Sequence, residues 1–166
     1  MSQIGLPRFV IVLMYLSCLS FAQAENQTSI VIDGALSEAA WSIAEEINSF
    51  SVTTPFSLNK PPRQTIVRTF SDEAGIYIGF TNYQPISEGV AATTLRDEEI
   101  QADFNEIIID FDASGDRAFG FKVSRKNSIQ DSVWTNQNRE NLDWDGRWQY
   151  AVQEYSDHWT SEVFIP

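Results

Sequence analysis

Downstream of residue 30 the chain is written in short runs in which apolar residues recur at every second position, separated by turn residues at sandwich-like spacings. That period belongs to half-buried strands, and the spacing argues against helix-linked parallel strands. Ile66, Arg68 and Phe70 alternate with Val67 and Thr69, Asp72-Glu73-Ala74-Gly75 offers a turn, and Ile76, Ile78 and Phe80 then share one face, which predicts a hairpin. Ile107, Ile109 and Phe111 form a second stripe, and Phe119, Phe121 and Val123 match it beyond a turn at Ser114-Gly115-Asp116. Segments 48–54, 128–136, 147–156 and 158–165 are predicted as further strands, with a loop at Pro55 and Pro61-Pro62 that no central strand would contain. Residues 84–103, with the charged run Arg96-Asp97-Glu98-Glu99, read as a loop or a short helix. One helical turn is expected where Leu36, Ala39, Ala40 and Ile43 fall at helical spacing, with Ser37 as N-cap and Glu38 in the first turn. The predicted fold is all-β: a two-sheet antiparallel β-sandwich, jelly-roll-like, with one short N-terminal helix.

The beginning of the chain follows a different pattern. Arg8 is followed by an apolar run from Phe9 to Leu19 and by Ala22-Gln23-Ala24, the layout of a cleaved export signal ending at Ala24. A run of about 11 apolar residues is too short to span a bilayer as a helix. Residues 1–24 are therefore expected to be removed, and residues 25–166 to form one exported domain, placed in the periplasm, at the outer membrane or outside the cell. Cys18 does not sit in a lipobox, because Tyr15 stands where an aliphatic residue is needed, and it leaves with the signal. The mature domain thus has no disulfide. The net charge of −12 repels nucleic acid and anionic lipid, and is compatible with neutral sugars, with divalent cations, or simply with solubility. The apolar end at Val163-Phe164-Ile165-Pro166 leads us to expect a C-terminally truncated chain.

Three stretches carry a resemblance. Ile32-Asp33-Gly34-Ala35-Leu36-Ser37-Glu38-Ala39-Ala40-Trp41 opens it. Ile76-Tyr77-Ile78-Gly79-Phe80, Arg96-Asp97, Asp103, Ile109-Asp110-Phe111-Asp112 and Asp116-Arg117 continue it. Trp144-Asp145-Gly146-Arg147-Trp148 and Trp159-Thr160-Ser161-Glu162-Val163-Phe164-Ile165-Pro166 close it. In this order they resemble the domain at the amino terminus of certain large exported bacterial proteins, which is similar to family 9 carbohydrate-binding modules. The resemblance implies noncatalytic binding of a polysaccharide or oligosaccharide through aromatic side chains, sometimes with structural calcium. It also implies a downstream β-barrel or catalytic region and a part in polysaccharide catabolism. His158 departs from the pattern, which often has glycine there.

Sugar rings present apolar C–H faces edged by hydroxyls, so a site needs an aromatic platform beside carboxylates, amides or Arg. Periodicity assigns Trp41, Trp148 and Trp159 to the core. Trp134 shares its face with Gln130, Ser132 and Asn136, while Trp144 lies between Asp143 and Asp145 in a turn-rich stretch; pattern alone does not decide between platform and scaffold for either. The candidate ligand-binding residues are therefore Trp134, Asn136, Trp144 and Asp145, joined through the resemblance by Arg96, Asp97 and Asp103, which suit a salt-bridged loop clamp somewhat better.

Other functions compete less well. Asp110, Asp112, Ser114 and Gly115 imitate the start of a calcium loop, but Phe121 stands where its bidentate Glu belongs, so that motif is rejected. The sequon Asn26-Gln27-Thr28 carries little weight. Glycosidase activity needs a selected pair of carboxyls, and 23 acidic residues supply pairs by chance. Met/His or bis-His haem ligation within the chain is excluded, because Met1 and Met14 leave with the signal and His158 is then alone. The alternative to a binding module is a structural or interaction domain preceding an outer-membrane barrel.

Overall fold

The structure, a computed structural model, describes residues 30–136 and 138–166; the expected export signal, Cys18 and the sequon at Asn26 lie outside them. One short helix, α1 (Ala39–Ile43), precedes β1 (Glu45–Ile47), β2 (Thr65–Ser71), β3 (Ile76–Asn82), β4 (Phe104–Ile109), β5 (Arg117–Ser124), β6 (Ile129–Thr135), β7 (Arg139–Asn141), β8 (Gln149–Glu154) and β9 (Trp159–Ile165). They form two antiparallel sheets, β1-β2-β3-β9-β8 and β4-β5-β6-β7. The chain is a two-layer β-sandwich.

Its core is the set of inward stripes that alternation marks out. Ile78 and Phe80 of β3, Phe121 and Val123 of β5, Ile129 of β6, and Val163 and Ile165 of β9 are buried together, with Ile107 and Ile109 packed against them. On β2 the inward residue is Val67, which leaves Ile66, Arg68 and Phe70 on the outer face. Asn105 Nδ2 donates to Ser161 Oγ at 2.9 Å, a buried polar tie from β4 to β9.

Several expectations need correction. Residues 48–54 form no strand: β1 ends at Ile47, and Val52 instead closes a turn by donating to Asn59 O and accepting from Leu58 N. The proline-rich stretch beyond cannot supply the donors of a ladder. Phe111 lies past the end of β4 and is 54% exposed, so its stripe stops at Ile109. The cap of α1 is Glu38 rather than Ser37, and Ile43 points to solvent while Trp41 is buried. Of the two readings of residues 84–103 the loop is the one observed, with turns and no helix. Strands β1 and β7 carry exposed residues throughout, so alternation had nothing to mark.

The two ends of the described chain meet at one group. Glu162 lies on the outward side of β9, yet its side chain is fully buried, because the segment from Asp33 to Trp41 folds across it. Its Oε2 accepts from the N–H groups of Asp33 (2.9 Å) and Gly34 (2.7 Å), and its Oε1 from Trp41 Nε1 (3.0 Å). Burial, opposed only in part by those donors, pushes its pKa up from the ordinary Glu range. Gly34 adopts φ +91°, and a Cβ there would stand 2.6 Å from the Val152 carbonyl carbon. That close approach admits only glycine without moving β8. Gly79, paired with Glu162 across the ladder, leaves the room that Leu36 fills.

Candidate functional site

The charged candidates gather around a residue that the sequence reading passed over. Asp131 of β6 points between the sheets, in step with Ile129 and Val133, and is fully buried. Its Oδ2 accepts from Arg96 Nη2 (2.7 Å), from the N–H of Gly146 (2.7 Å) and from Trp148 Nε1 (3.0 Å). Arg96 Nε also lies 3.2 Å from Asp145 Oδ1 and 3.5 Å from Asp97 Oδ2. Asp97 in turn joins the edge of β6, donating its N–H to Ile129 O and accepting from Asp131 N. Arg96, Asp97 and Asp145 therefore tie the 84–103 loop and the 142–148 segment to one buried carboxylate. Asp103 stands apart, closing its own loop through paired hydrogen bonds with Val90 and accepting from the Arg125 N–H.

Removing the cation from such a cluster leaves a buried negative charge with fewer partners. Arg96→Ala is expected to lower stability by about 2 kcal/mol in chemical denaturation, because Arg96 is partly exposed and water screens it. Asp145→Ala, whose side chain is 75% exposed, should shift the denaturation midpoint very little.

The two candidate tryptophans separate. Trp144 is half-buried with its ring against Phe119 (4.9 Å between centroids) and Phe121 (5.8 Å, edge-on) on the inward face of the second sheet. Trp148 packs beside it on Phe121 and Tyr150. Trp134 projects from the opposite, outward face, paired across the ladder with Ala118. The indoles of Trp134 and Trp144 thus cannot line one platform. Trp41 and Trp159 are each 2% exposed, in the core as periodicity assigns them.

Small residues of β5 make room for Trp134. A Cβ on Gly120 would lie 2.3 Å from Ser132 Oγ and 3.1 Å from Trp134 Nε1, so the indole rests over the bare backbone of Gly120. Beside it opens a groove of about 280 Å³, walled by Trp134, Ala118 and Ile108 and rimmed by Asp110, Asp116 and Arg117. Asn136 stands at the same rim, where its N–H donates to Asp116 O at 3.3 Å.

The rim loop is held by its own side chains. Asp110 Oδ2 accepts from the Gly115 N–H at 2.7 Å, and Asp110 Oδ1 has no partner. Asp112 Oδ1 accepts from the Ser114 N–H, and Ser114 Oγ from the Asp116 N–H. Hydrogen bonding from Ser114 holds the Asp112 carboxyl below the usual carboxylate range. Chemically, the groove offers an indole and an aliphatic wall for apolar faces, with acceptors and one guanidinium at the edge for hydroxyls. No pattern in the sequence marked Gly120 or Asp110 as parts of it.

Among the described residues, Asp33, Glu38 and Glu162 bring one carboxylate oxygen each within 4.8 Å of one another. A cation does not fit it well. Three N–H groups already point at Glu162, and they occupy the directions from which a metal would bind.

Neither a family model nor a curated protein matches the sequence. Solved structures do match the fold. A family 9 carbohydrate-binding module from Caldicellulosiruptor kristjanssonii in complex with cellotriose aligns with a TM-score of 0.58 at 16% identity, over 82% of this chain and 63% of that one. Its complex with glucose aligns with a TM-score of 0.56 at 16% identity, over 82% and 64%. A candidate carbohydrate-binding protein from Bacteroides uniformis aligns with a TM-score of 0.57 at 11% identity, over 75% and 61%. This chain therefore has the fold of family 9 carbohydrate-binding modules, and spans somewhat less than two thirds of the length of the structures it matches.

Proposed function

We propose that this chain is a noncatalytic carbohydrate-binding module whose ligand stacks on Trp134. The observation that carries the reading is an indole at an open groove whose rim holds Asp110, Asp116 and Arg117. A pyranose can lay its C–H face on that ring while its hydroxyls reach the rim. The fold supports the same reading, because structures with this architecture hold cellotriose and glucose.

The module accordingly holds a saccharide and leaves cleavage to a partner domain; the fold it shares with carbohydrate-binding modules supports this reading. In this reading the first 24 residues direct export, and the mature protein begins at Glu25, which mass spectrometry of the secreted chain would check.

Titration with glucose, cello-oligosaccharides and a panel of other neutral glycans tests binding. A saturable change in tryptophan emission is expected, with no new reducing ends released. An emission spectrum unchanged by every glycan would remove the basis of the proposal.

A further inference from the structure

A second cleft opens where β3 ends and β9 begins, between the first sheet and the start of β4. It measures about 310 Å³ and is lined by Thr65, Asn82, Gln84 and Asp103, together with the rings of Tyr83 and Phe104. Strand register places it far from Trp134. Phe104 pairs with Ser124 at one end of the β4–β5 ladder, whereas Ile109 pairs with Phe119 at the other, next to the Ala118–Trp134 pair. The two openings thus lie toward opposite ends of the second sheet.

Asn82 is the residue that asks for a ligand. It is 8% exposed, its Oδ1 accepts from Thr65 Oγ1 at 3.2 Å, and its Nδ2 has no acceptor. Native folds rarely leave a buried amide donor unpaired, so this one calls for an acceptor, which an oxygen bound in the cleft would supply. The remaining walls offer mixed donors and acceptors rather than a net charge. Arg63, at the lip, is paired with Glu88, and the Asp103 carboxylate is engaged by the Val90 N–H. Gln84 Oε1 receives only a long bond, 3.4 Å, from Trp159 Nε1, so it has capacity for a better donor. Tyr83 and Phe104 are each 43% exposed, which leaves apolar ring surface at the opening. Lys122 Nζ stacks on the Phe104 ring at 4.9 Å.

We propose that this cleft is a second, independent site for a neutral sugar unit of single-ring size. Asn82 Nδ2 donates to a ring or hydroxyl oxygen, Gln84 and Asp103 accept from hydroxyls, and Tyr83 and Phe104 flank the C–H faces. An ion is disfavoured because the cationic group at the lip is already matched. With two sites on one chain, a branched or multi-chain polysaccharide gains avidity over a free monosaccharide.

Nuclear magnetic resonance on the whole protein tests the site separately from the groove, with glucose, galactose, mannose and xylose as probes and glucuronate as the charged control. At least one neutral sugar should shift the Asn82 and Gln84 side-chain amide signals saturably, and should do so equally in Trp134→Ala. Asn82→Leu should weaken that sugar about tenfold at this cleft, the loss of one hydrogen bond, while the Trp134 indole response persists. If Asn82→Leu does not fold, the comparison of wild type with Trp134→Ala still decides. The site is refuted if no neutral sugar moves those amide signals, or if their movement disappears in Trp134→Ala.

Discussion

Replacing Glu162 with alanine should cost the domain about 4 kcal/mol, a large part of the 5–15 kcal/mol that typically holds such a fold together. The carboxylate is fully buried, and its removal leaves the N–H groups of Asp33 and Gly34 and the Trp41 indole without an acceptor. A buried donor stripped of its partner bears its full desolvation cost, about 1–3 kcal/mol each. The opening segment would also lose one of its ties to β9, keeping the Thr160 hydroxyl bond to Gly34 O. Chemical denaturation should show a much lower midpoint, and hydrogen exchange should show the amides of Gly34 and its neighbours losing protection. Glu162→Gln should be milder, because its carbonyl oxygen still accepts from the backbone while its amide N–H meets the Trp41 donor unfavourably.

Acid dependence separates the two variants further. Burial raises the Glu162 pKa above its value in the unfolded chain, so the folded state holds a proton that the unfolded state has released. The contribution of Glu162 is therefore fully present below the ordinary Glu range and is lost as pH rises through its raised value. Wild type should lose stability relative to Glu162→Gln over that interval as pH increases. A constant difference between them at all acidic pH values would show that Glu162 does not titrate in this way.

The second large effect is on binding. Trp134→Ala should weaken saccharide affinity roughly 30-fold, corresponding to about 2 kcal/mol of lost stacking and apolar contact. The fold should survive, since Trp134 lies on the outward face of the second sheet and is not part of the buried cluster. Trp144→Ala should behave in the opposite way, lowering stability by creating a cavity against Phe119 and Phe121. Calorimetric titration together with thermal unfolding distinguishes the two. Equal losses of binding and stability in both variants would contradict the division of roles.

Period-two alternation made the core legible because each core strand buries one face: Ile78 and Phe80 in β3, Phe121 and Val123 in β5, and Val163 and Ile165 in β9 all fall on their expected stripes. It failed at β1 and β7, which carry exposed residues throughout and form only through pairing with a neighbour. The same parity also held a signal that hydrophobicity concealed. Asp131 shares the inward face of Ile129 and Val133, so a charged residue in that phase announces a buried carboxylate and the cation that must meet it. Trp144 lies outside any strand, where parity assigns no face, and its packing on Phe119 came only with coordinates. The Trp134 groove depends on contacts among β4, β5, β6 and the 110–116 loop, and the glycine that admits the indole, Gly120, has no side chain to read.

A crystal structure of the protein with a bound oligosaccharide is the most direct examination of the account. One sugar ring should lie parallel to the Trp134 indole, with its hydroxyls within hydrogen-bonding distance of Asp110, Asp116 or Arg117. An oligosaccharide held only at other positions, with the Trp134 face bare, would contradict it.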